Sequence, residues 1–138
     1  MVDYQEVFKL SYFRAIDTVR KGKGFFDTFY DKLISRSPEA KEKFKHTDLL
    51  VQKEMLEKSI VYMSRFAVVQ RTDDYVQSLA TKHSKRDKDV QPHLYDIWLT
   101  CLIDTVKEHD PEFDDDVALA WRMNMAAGIT YMKFKYDK

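Results

Sequence analysis

Ser37-Pro38-Glu39-Ala40-Lys41-Glu42-Lys43-Phe44 is the stretch from which the fold is best read. A serine hydroxyl that can cap a helix stands before a proline at the first helical position, where the missing N–H costs nothing. The residues that follow are mostly charged until Phe44, six positions after the proline. The pattern predicts a helix of about one or two turns that ends on an aromatic side chain.

Longer helical patterns lie on both sides. Upstream, Phe25, Phe26, Phe29, Tyr30, Leu33 and Ile34 mark a helix from about Phe25 to Ser35. Before it, Lys21-Gly22-Lys23-Gly24 interrupts a first helix from about Tyr4 to Arg20 that carries Val7, Phe8, Leu10, Ile16 and Val19. Downstream, the polar corner Lys45–Asp48 leads into a long helix from about Leu49 to Gln70. Its Leu49, Gln52, Leu56, Ile60 and Met63 recur at helical three- and four-residue steps. Thr72-Asp73-Asp74 caps a short helix ending near His83, and a charged corner runs from Ser84 to Asp89. Pro92 opens a helix through Leu94, Ile97, Trp98, Cys101, Leu102 and Val106, which Asp110-Pro111 ends. The last helix runs from about Asp114 to Lys135. About six or seven helices with short corners and no strand predict an all-α fold.

Composition agrees. The chain of 138 residues is read as one domain over residues 1–138, and 44% hydrophobic content suffices for a sizeable core. Three glycines and three prolines leave too few breakers for a many-stranded sheet. With 23 basic and 23 acidic residues interspersed, neither a nucleic-acid nor a membrane partner is expected. The first ten residues carry acids and do not read as a signal peptide. The lone Cys101 allows no internal disulfide, which fits a reducing compartment and a cytoplasmic location.

Three polar side chains stand on apolar faces. Val76, Leu79, Ala80 and His83 share one face of the short helix, so the imidazole points inward. It is either a core histidine bonded to a backbone carbonyl or a metal ligand, whose second nitrogen the Leu79 carbonyl would hold. Gln52 is the one strongly polar member of its stripe, either a boundary residue or a deliberate donor. Tyr30 is a core tyrosine or a hydroxyl donor to a ligand. His46, His93 and His109 fall near helix ends or in polar corners, where His109 complements a helix C-terminus.

The ordered set of Phe29-Tyr30, Pro38, Phe44, Gln52, His83 and the Val90/Pro92 corner resembles the globin family, and bacterial single-domain globins in particular. The resemblance covers essentially the whole chain and includes the final helix from Trp121-Arg122-Met123 to Tyr131-Met132. It implies a globin fold enclosing a b-type haem. His83, in Leu79-Ala80-Thr81-Lys82-His83, looks like the proximal iron ligand, and Phe44 like the ring that packs flat on the porphyrin. Tyr30 and Gln52 would face the bound gas, with Leu56 walling the ligand site and Val90 lining the haem. The eight-position step from Phe44 to Gln52 also allows Lys53 or Val51 to take the distal place. Lys85 or Arg86, in the corner after His83, would pair with the haem propionates. No Cys-x-x-Cys-His pattern is present, so the haem would be held without covalent attachment.

The function implied is reversible binding of dioxygen or another diatomic gas. Nitric oxide dioxygenation with electrons from a separate reductase is a variant on the same site, and a haem-free signalling module with Phe, Met and Leu filling the pocket is the other alternative. Trp98, Trp121 and Met125 on the last two helices suggest a self-association surface.

Overall fold

The computed structural model describes residues 1–138 and contains seven helices and no strand. They are α1 (Tyr4–Asp17), α2 (Phe25–Arg36), α3 (Pro38–Lys43), α4 (Leu49–Val69), α5 (Asp74–His83), α6 (His93–His109) and α7 (Asp115–Lys135). Side-chain oxygens start most of them. Asp3 accepts from Gln5 and Glu6, Ser37 from Ala40, Asp48 from Leu50, Asp73 from Val76 and Asp114 from Val117. Each cap satisfies backbone donors that a helix start leaves free.

Trp121 of α7 is fully buried at the centre of the core. The rings of Phe8 and Phe25 pack on it at centroid distances of 4.8 and 6.0 Å. Its indole N–H donates to the Ser11 hydroxyl at 2.9 Å, which in turn donates to the Asp110 carboxylate at 2.6 Å. Arg14 closes the group with two bonds to Asp110, at 2.7 and 3.0 Å. α1 is thereby fixed to the α6–α7 corner, and no buried side-chain polar atom is left without a partner.

Gly128 decides how closely α4 and α7 cross. A Cβ placed there would stand 2.7 Å from the Met63 Cε and 2.8 Å from its Cγ, so the contact accepts only glycine without a shift. No helix is long and apolar enough to cross a membrane.

Two sequence expectations are corrected and a third gains a partner set. α1 stops at Asp17 rather than Arg20, because Thr18 turns extended and its hydroxyl bonds the Arg14 carbonyl at 2.7 Å. Arg20 and Lys23 then exchange backbone bonds around Lys21 and Gly22, both at positive φ. His109 ends α6, as expected, but is also fully buried. Its Nδ1 donates to the Thr18 carbonyl, and its Nε2 meets the Thr28 hydroxyl, each at 2.7 Å. Trp121 and Met125 are fully buried and offer no surface for self-association, while Trp98 is half-buried against an internal cavity.

Candidate functional site

The cavity, about 420 Å³, lies between α2, α3, α4, α5, α6 and α7. Its wall is mostly hydrophobic, and its volume falls within the roughly 300–1,000 Å³ usual for cofactor sites.

His83 enters it from the last turn of α5. Its Nδ1 lies 2.7 Å from the Leu79 carbonyl, which can only accept, so Nδ1 carries the proton. Nε2 makes no hydrogen bond, and because every fully hidden polar atom has a partner, this nitrogen must face open space. Burial pushes the imidazole pKa below its ordinary value, and nearby Lys88 and Lys82 push it the same way against the Leu79 bond. The ring is thus held neutral with a free lone pair, the form that binds a metal.

Among the other wall residues, Tyr30 comes from α2 and Gln52 and Leu56 from α4. The Tyr30 hydroxyl donates to the Gln52 backbone carbonyl at 3.0 Å, and burial pushes its pKa up. The Gln52 amide makes no side-chain hydrogen bond within the protein and lines the cavity. Phe44, just past α3, packs edge-on against Tyr30 with centroids 5.4 Å apart. Val90 lines the cavity as well. Of the two residues that could have replaced Gln52, Lys53 pairs with Asp27 and Val51 is exposed.

The structure brings Tyr30, Phe44, Gln52, Leu56, His83 and Val90 together, but not Lys85 and Arg86, which are exposed outside the wall. Lys43 and Lys88 take the rim instead. The Lys43 ammonium donates to the Lys88 carbonyl at 2.8 Å and joins the corner after α3 to the corner after α5. Tyr95 was also missed by the sequence reading. It is buried on the wall, its hydroxyl has no protein partner, and burial raises its pKa. In the sequence nothing sets it apart from the other large residues of α6.

No group of three His, Cys, Asp or Glu side chains could hold a bare metal ion. A metal bound at His83 must therefore bring its other ligands with it, as in a tetrapyrrole. A mostly apolar slot, one bare imidazole nitrogen and two lysines on the wall would fit such a group, with its apolar ring, its metal and its carboxylates.

The sequence pattern of the globin family matches residues 27–131. The chain belongs to the globin family. This globin superposes on the crystal structure of a Pseudomonas aeruginosa PAO1 protein described as structurally highly homologous to a human hemoglobin. The TM-score is 0.90 at 33% identity, over 99% of this globin and 100% of that chain. No curated protein matches it.

Proposed function

We propose that this globin holds haem b through His83 and binds a diatomic gas, dioxygen first, beneath Tyr30 and Gln52. The observation that carries the reading is the bare Nε2 of a neutral imidazole whose other nitrogen is fixed by the Leu79 carbonyl. When bound, haem supplies an iron centre with one position left for a gas.

The chain's own residues supply the rest. The Leu79 carbonyl fixes ring orientation and tautomer of His83. Phe44, Leu56, Val90 and the other apolar wall residues keep water from the site and lower its local dielectric, which strengthens any hydrogen bond made there. Lys43 and Lys88 would supply cations for the carboxylates of the bound group. Gln52 has an unspent amide for the gas ligand, whereas Tyr30 must release the Gln52 carbonyl before its proton can serve.

The open cavity supports this reading over a haem-free module packed with Phe, Met and Leu side chains. Absorption spectra of the purified protein in ferric, ferrous and carbon monoxide-bound forms test it. A strong near-ultraviolet haem band that moves on reduction and again with carbon monoxide is the expected result. A protein without that band, even after haem is added, sinks the proposal.

A further inference from the structure

The outer face of α7 carries a row of side chains that no other element covers. Leu119, Met123, Ala126 and Phe134, with Thr130 among them, recur at three- and four-residue steps. They stand opposite the face that buries Trp121, Asn124, Gly128 and Met132. All five are exposed, Leu119 at 42%, Met123 at 50% and Phe134 at 60%. A single exposed apolar residue is ordinary, whereas a row along a 21-residue helix marks a contact surface. The row shares no residue with Trp98, Trp121 and Met125, and none with the cavity wall.

The two ends of the same helix carry opposite charge. Asp114, Asp115 and Asp116 begin it, whereas Lys133, Lys135 and Lys138 at its far end face the single acid Asp137. This order suits the dipole of the helix itself. It also makes the helix complementary to an antiparallel copy and repellent to a parallel one. Asp115 and Lys135 are free to serve, since neither forms an ion pair within the chain. The small Ala126 and Ala127 stand midway along the row, where two crossing helices come closest. Antiparallel pairing about that point brings Leu119 near the partner's Phe134, Met123 near the partner's Thr130 and Asp115 near the partner's Lys138. The two surfaces are the same patch, as a two-fold interface requires.

We propose that a second copy of this chain docks on this row, α7 against α7, antiparallel about Ala126, to form a two-fold dimer. The pairing is independent of the haem reading, because α7 lines the cavity with Ile129 and Met132 from its other face. At about 1.5 Å per residue the helix is about 31 Å long, and a strip about 10–12 Å wide offers roughly 350 Å² per partner. A standard interface buries about 800 Å² a side, more than twice as much. The dimer is therefore reversible, with half of the chains paired at a concentration on the order of 0.1 mM.

Sedimentation of the full chain tests this. Between about 5 μM and about 1 mM the mass should rise from monomer toward dimer. Met123→Glu or Phe134→Glu should hold it at monomer throughout, with helix content unchanged. Charge reversal tests the direction of pairing. Asp115→Lys/Asp116→Lys gives α7 positive charge at both ends, and Lys135→Glu/Lys138→Glu gives it negative charge at both. Each of these variants alone should dimerise about tenfold more weakly than the parent. An equimolar mixture of the two should recover the parent's association, because opposite charges then meet at both ends of each mixed pair. That recovery also requires both variants to be folded. A chain still monomeric at about 1 mM overturns the proposal, as does unchanged association of Met123→Glu and Phe134→Glu. So do charge-reversed variants that pair as well as the parent, or a mixture as weak as its components.

Discussion

The hydroxyl proton of Tyr30 is given to the backbone carbonyl of Gln52, 22 residues further along the chain, at 3.0 Å. One bond thereby ties α2 to the first turn of α4 and occupies a phenol that lines the cavity. A donor to a polarised ligand contributes roughly 1.5–3 kcal/mol, and the neutral bond surrendered is worth roughly 1 kcal/mol. The net gain to a dioxygen bound as proposed would therefore be about 0.5–2 kcal/mol. Tyr30→Phe should speed dioxygen release about two- to thirtyfold and change carbon monoxide release much less, because carbon monoxide is the weaker acceptor. Stopped-flow release rates for both gases check this. Identical dioxygen rates would mean that Tyr30 keeps its proton on the Gln52 carbonyl throughout and serves only to join the helices.

His83→Gly removes the bare Nε2 and should abolish stable haem retention while leaving the helices in place. Imidazole added to the solution should restore part of the ferrous spectrum. Unchanged haem content in the variant would move the ligand elsewhere. His93 is the first candidate to examine, although its Nε2 lies 2.8 Å from the Glu39 carboxylate in an exposed pair.

Gly128→Ala places a methyl group against Met63, which must move into the cavity that it helps to line. Overpacking of this kind costs typically about 1–3 kcal/mol. A lower urea midpoint with unchanged slope is the expected result, together with weaker haem retention. The second variant Met63→Ala in the Gly128→Ala background should recover haem retention, since it clears the methyl's neighbour.

Asp110 gives the fold a pH dependence whose sign follows from its partners. Burial alone would raise its pKa, but bonds from Arg14, Ser11 and the Glu112 backbone N–H together hold it below the usual carboxylate range. A depressed folded pKa contributes stability that is fully present above the unfolded value, about 3.9, and lost as pH falls through the folded one. Urea unfolding between about pH 5 and pH 2 should show this loss, and Asp110→Asn should remove much of it. A variant with the same acid profile as the parent would place the dependence on other carboxylates.

Helix positions were legible where one residue type leaves few options. Ser37-Pro38 and Asp73 start helices where expected, since a cap depends on neighbours within three residues. Gln52, Leu56 and His83 reach the cavity because helical spacing fixes their face once the helix is known. What could not be read depends on how helices meet. The Tyr30 proton goes to a main-chain atom of another helix, and backbone acceptors carry no sequence signature. His109 meets Thr18 and Thr28 across 91 and 81 residues, so its burial is invisible to local pattern. Lys43 and Lys88, rather than Lys85 and Arg86, border the cavity because the bend of each corner, including the positive φ of Asp89, decides which cation turns inward.

The clasp that His109 makes on Thr18 and Thr28 has a practical side for protein engineering. A single imidazole anchors both ends of the segment that contains the Lys21-Gly22 turn, so the spacing of those ends does not depend on what lies between them. A side chain built at Gly22 would meet nothing within 4 Å. Lengthening such a segment costs little, about 0.6 kcal/mol for each doubling. The turn is therefore the natural place to graft a peptide tag, or to open the chain for circular permutation, with the cavity wall undisturbed.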